Sequence, residues 1–152
     1  MAKRQRIFFR IGSWACIATA GIHLIGHFTP PPAPSSDAEA TLQKLMVSYR
    51  KDFGAGFSRT TMDFVKGFSL SFSLFLLFAG VVGLLVAARA PKDPVLWRGL
   101  RLAYAVGMGC LLAISAVYFF LPPLFCVAVI FLAFGIAAAY GPEAPPATSE
   151  MR

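Results

Sequence analysis

From Gly67 to Ala88 the chain reads GFSLSFSLFLLFAGVVGLLVAA, without a single charged residue. A helix needs about 20 predominantly apolar residues to cross the hydrocarbon core of a bilayer, and this run meets that length. Three further stretches behave alike: from about Ile7 or Ile11 to Phe28, from about Gly99 to Phe120, and from Leu121 to Tyr140. Together they predict an all-α fold, a four-transmembrane-helix bundle with spans at about 7–28, 64–88, 99–120 and 121–140. A single membrane domain then covers 1–140, and the tail 141–152 reads as disordered. Composition agrees. Charged residues make up 14% of the chain and hydrophobic ones 57%, against roughly 25% charged in a soluble domain.

The net charge of +7 does not mark a nucleic-acid partner, because the basic residues sit in short clusters beside apolar runs. That placement fits lipid headgroups and topology control. Lys3, Arg4, Arg6 and Arg10 precede the first span, and Arg89, Lys92, Arg98 and Arg101 lie between the second and third. The turn at Pro122 and Pro123 has none. Lys and Arg in short flanks favour the cytoplasmic side, so both termini are expected there, with Trp14 and Trp97 at the inner interface. Arg10 interrupts any signal-peptide core and no cleavage motif follows, so the first span is read as uncleaved. Cys16, Cys110 and Cys126 fall inside apolar runs and read as buried structural residues.

The first loop, 29–63, has its own organisation. TPPPAPSS is a stiff extended exit from the membrane. Ser36 and Glu39 form a capping box, after which Leu42, Leu45, Met46, Tyr49 and Phe53 recur at helical spacing. The pattern predicts an amphipathic helix over about 37–53, stopped by the glycines at 54 and 56 and lying as a lid on the outer surface. Thr60 with Asp63 caps the second span.

Small and polar residues mark the faces on which membrane helices pack. In the first span Gly12, Cys16, Thr19, His23 and Gly26 share a face. In the second the face carries Lys66, Ser69, Ser73, Gly80, Gly83 and Ala87. The third has Ala105, Gly109 and Ala113, and the fourth Ala128, Gly135 and Ala139.

His23 and His27 are the only histidines, one helical turn apart in GIHLIGHF. Ionisable residues at membrane depth are candidate functional sites by default. With Asp63, Lys66 and Ser69 they form the candidate ligand-binding cluster. His23, His27 and Asp63 could serve as metal ligands, and a neutral imidazole beside Phe28, Phe64 and Phe68 could hold a lipid or quinone headgroup. The bland alternative has His23 hydrogen-bonding a neighbouring helix, at Ser69, while His27 meets water. Haem is disfavoured because two adjacent turns of one helix cannot ligate opposite faces of the ring. Diiron chemistry needs more histidines. No motif for nucleophilic or phosphoryl chemistry is present.

GIHLIGHF, the capped outer loop and MDFVKGFSLSFSLFLLFAGVVGLL together resemble an uncharacterised family of small bacterial four-span integral membrane proteins. The chain is similar to the DoxX-like membrane proteins in span count and size alone. The resemblance implies a multi-pass protein of the bacterial inner membrane and carries no activity with it. The expected function is that of a non-enzymatic interaction or accessory component. The alternative is a lipid-, quinone- or metal-binding protein using the His23, His27 and Asp63 cluster. A small transporter is disfavoured, because no carboxylate lies within a span. Expected partners are membrane lipids, with a homo-oligomer or another membrane protein as further possibilities.

Overall fold

The structure is a computed structural model and describes residues 3–89 and 93–140. The predicted tail, 141–152, lies outside them, as does Lys92. The fold is all-α apart from one short hairpin: α1 (Lys3–Phe28), α2 (Asp37–Ser48), β1 (Arg50–Asp52), β2 (Ser58–Thr60), α3 (Thr61–Arg89), α4 (Pro94–Tyr118) and α5 (Leu121–Ala139). Helices α1, α3, α4 and α5 are each long and apolar enough to cross a membrane. Their outward faces are apolar: Phe68 is 72% exposed and Phe75 71%. A helix in water hides such side chains.

Local chemistry explains the boundaries. Asp93 Oδ1 accepts from the backbone N–H groups of Val95 (2.8 Å) and Leu96 (3.3 Å), and Pro94 follows in the first turn. This cap starts α4 five residues ahead of the expected Gly99. Pro122 and Pro123 occupy the first turn of α5, as expected, where a proline's missing N–H costs nothing.

Two compact units are distinguished. One comprises residues 1–17 and 78–152. Its described part is built around Phe9, whose ring meets Trp97, Tyr104 and Phe134 at centroid distances of 5.1, 5.0 and 5.0 Å. Gly80 lets α1 and α3 touch here. A Cβ at that position would lie 2.7 Å from the Ser13 carbonyl oxygen and 2.6 Å from Ile17 Cγ1. Gly12 lies flat against Phe134.

The expected small-residue faces hold in part for α1 and α3, where Gly12, Cys16, Ser73, Gly80, Gly83 and Ala87 are buried, Thr19, His23 and Ser69 half-buried, and Gly26 and Lys66 exposed. They hold in part for α4 and α5: Ala105 is buried and Gly109 lies against Phe131, Ala128 and Gly135 are half-buried, and Ala113 and Ala139 are exposed. The buried set is Trp97, Arg101, Ala105 and Ser115 on α4 with Val127, Ile130, Ala133, Phe134 and Ala137 on α5. Cys16 is buried as expected, whereas Cys110 is exposed and Cys126 half-buried.

Trp97 lies in the first turn of α4 and packs inside the protein. It is 2% exposed, while Trp14 is 57% exposed. Its indole N–H donates to Gln5 Oε1 (3.3 Å), and Gln5 Nε2 donates to the Tyr140 carbonyl (2.9 Å). Arg101, expected to be a topology flank, is also buried. Its Nη1 donates to the carbonyls of Ala137 and Tyr140 (2.8 Å to the latter), capping the C-terminal end of α5. A cation there satisfies terminal carbonyls and complements the helix dipole.

The other unit is residues 18–77. Helix α2 ends at Ser48, short of the expected 53, because Tyr49 turns extended and Arg50, Lys51 and Asp52 pair antiparallel with Thr60, Arg59 and Ser58. Gly54, Ala55 and Gly56 all have positive φ. The segment read as a helix stop is therefore a hairpin turn. Helix α2 has no buried residue, and Leu42, Leu45, Tyr49 and Phe53 are exposed. Of the apolar stripe, Met46 is half-buried and Phe53 packs edge-on against Phe64.

Candidate functional site

Histidines four residues apart on a helix project from one face, and α1 presents His23 and His27 in that way. Ser69 on α3 meets both. Its Oγ is 3.0 Å from His23 Nε2 and 3.1 Å from His27 Nδ1. The expected bond between His23 and Ser69 is present. His27, expected to meet only water, shares the same hydroxyl. Ser73 Oγ donates to the Ser69 carbonyl (3.1 Å), which fixes the serine from one turn further along α3. Each imidazole also packs edge-on against an aromatic ring, His23 on Phe72 (5.2 Å) and His27 on Phe28 (4.9 Å).

One hydroxyl between two rings sets a directional rule. Serine has a single proton to donate, and each neutral imidazole has one donor and one acceptor nitrogen. When Ser69 donates to one ring, the other ring must donate its N–H to the serine oxygen. In that arrangement the two histidines take opposite roles, one accepting and one donating. The bridge leaves His23 Nδ1 and His27 Nε2 outside it.

Asp63 and Lys66 do not join this group. The Asp63 carboxylate accepts from the Thr60 N–H at 2.8 Å, and the Asp63 N–H donates to Thr60 Oγ1 at 3.1 Å. This reciprocal box caps α3 as the sequence implied, and it occupies one of the two carboxylate oxygens. Lys66 is exposed. Among the described residues, no three His, Cys, Asp or Glu side chains are grouped so as to hold a metal ion. Among the described residues no carboxylate hydrogen-bonds either imidazole, so the triad pattern of nucleophilic catalysis is not complete among them.

A second feature of this unit lies on another face of α3. An open depression of about 280 Å³ is lined by Arg59, Asp63, Phe64, Gly67, Phe68 and Ser71. The sequence signal for it was an i, i+4, i+8 stripe (63, 67 and 71), overlooked because the seam through Lys66, Ser69 and Ser73 held more polar residues. Sequence reasoning also missed Arg101, Gln5 and Trp97 as a buried polar group. No family model, curated protein or solved structure matches this chain.

Proposed function

We propose that the protein is a multi-pass component of the bacterial inner membrane with both termini in the cytoplasm, acting as a non-enzymatic interaction or accessory protein. Four helices of spanning length and composition support the membrane part of this reading. The basic flanks support the orientation. One observation carries the non-enzymatic part: His23, His27 and Ser69 satisfy one another across α1 and α3. Polar contacts of this kind stabilise membrane helix pairs by about 0.6 kcal/mol each. The histidines are structural in this reading, and the protein's role lies in what its surfaces engage: membrane lipids, a second copy or another membrane protein.

A lipid or quinone held at the bridge is the second reading, favoured by the two ring nitrogens left outside it and by the flanking Phe28 and Phe72. Purification in mild detergent separates the two. Wild type is compared with His23→Ala, His27→Ala and Ser69→Ala by thermal unfolding, lipid mass spectrometry and quinone extraction. The structural reading predicts a lower Tm and an unchanged profile of bound molecules. Loss of one bound species from the histidine variants at unchanged Tm overturns it. Reporter fusions to the loop between α1 and α3 and to the C terminus test the orientation.

A further inference from the structure

We propose that the depression at the start of α3 binds one phospholipid with a zwitterionic, amine-bearing headgroup. The lining divides along the helix. Arg59 and Asp63 lie at the end nearest the loop, and Phe64, Gly67, Phe68 and Ser71 follow. The uncharged run of α3 begins at Gly67. The change from charged to apolar lining therefore falls at the level where a lipid changes from headgroup to acyl chain.

The charges suit a zwitterion. Arg59 spends Nη1 on the Ser58 carbonyl (2.9 Å), leaving most of the five guanidinium N–H groups for a phosphate. Asp63 uses Oδ2 in the Thr60 box, and Oδ1 remains for an ammonium. A purely anionic headgroup would meet the Asp63 carboxylate as a like charge. One with an amine satisfies both rim residues. Ser71, one turn beyond Gly67, supplies a hydroxyl at the depth where glycerol esters follow the phosphate.

The floor is open. A Cβ added at Gly67 would meet nothing within 4 Å apart from its chain neighbours and its own helix, so the absent side chain leaves the depression open at that point. The rings of Phe64 and Phe68 are 6.4 Å apart and stacked, and Phe53 closes edge-on against Phe64 at 5.1 Å. The volume of about 280 Å³ lies near the ~300 Å³ lower end of small-molecule pockets. That is room for a headgroup and the start of a chain. The rest of the lipid lies along the exposed face of α3, as neighbouring lipids do.

The test is native mass spectrometry of the full-length protein, delipidated in detergent and then offered phosphatidylethanolamine or phosphatidylglycerol. Wild type should retain one phosphatidylethanolamine molecule in preference to phosphatidylglycerol. Arg59→Gln should weaken retention about tenfold, the loss of one charge-assisted contact. Asp63→Asn should remove the preference between the two lipids. Gly67→Leu fills the depression and should abolish retention, with Tm measured to confirm that it folds. If it does not fold, Arg59→Gln and Asp63→Asn decide. Equal binding of both lipids by wild type, no retained lipid at all, or retention unchanged in the variants that fold overturns the proposal. None of these outcomes depends on the histidine bridge.

Discussion

Arg101 shows how much one side chain reaches beyond its own helix. Its guanidinium holds the last carbonyls of α5, passes 5.9 Å from the Trp97 ring and leaves Nε buried without a hydrogen-bond partner. Removing it strips buried carbonyls of a charged donor, worth about 1.5–3 kcal/mol per bond. Arg101→Ala should therefore lower stability in detergent by about 3 kcal/mol. Arg101→Lys should recover only part of this, because an ammonium lacks the planar guanidinium that lies beside the Trp97 ring. Reversible unfolding in mixed micelles measures both. The bond between His23 and Ser69 was legible in the sequence because both residues fall on small-residue faces. Arg101 was not, because an arginine beside an apolar run reads as a topology flank. Its partners are backbone atoms that no side-chain pattern marks.

Helix ends and close approaches decide the elements. Glu39 accepts from the Ser36-capped turn's neighbour: its Oε2 takes the Ser35 N–H (2.6 Å) and the Ser35 hydroxyl (2.7 Å). The sequence implied a reciprocal box with Ser36, and the return bond goes one residue earlier. These two donors hold the Glu39 carboxyl below the usual carboxylate range. A lowered folded-state value means that the stabilisation of α2 is present above the ordinary Glu value, near pH ~4.3. It is lost as pH falls through the folded value. The N-terminal turn of α2 should accordingly fray as the pH is lowered through that folded value, read from backbone NMR shifts, and Glu39→Gln should fray at neutral pH with little further change on acidification.

In the other unit, Gly80→Leu should force α1 and α3 apart, since even a Cβ collides with the Ser13 carbonyl. Overpacking costs about 1–3 kcal/mol and should appear as a lower Tm. Gly80 was visible as part of a seam. The hairpin was not, because Tyr49 and Phe53 continue the helical spacing of α2. Only the pairing of Arg50, Lys51 and Asp52 with Thr60, Arg59 and Ser58 overrides that pattern.

For the whole molecule, the apolar exterior makes the bilayer the natural solvent, and the two tryptophans report on it separately. Trp14 faces outward and Trp97 is enclosed by Phe9 and Gln5. Lipids brominated on the acyl chain should quench the fluorescence of Trp97→Phe protein and leave that of Trp14→Phe protein largely unaffected. Equal quenching of the two would contradict the enclosed position of Trp97. The spans were legible because length and hydropathy are properties of a segment alone. The side of each helix that packs, and the burial of Trp97, depend on neighbours far along the chain.

The turn between α4 and α5 has a consequence for how the protein is made. Tyr118, Phe119, Phe120 and Leu121 are exposed and uncharged, and prolines follow at once. A segment with no charge to carry presents little barrier to passing through the hydrocarbon. Helices α4 and α5 can therefore enter the bilayer as one folded-back piece during synthesis. The charges of this helix pair, Arg98 and Arg101, lie in the first turns of α4, at the end away from the turn.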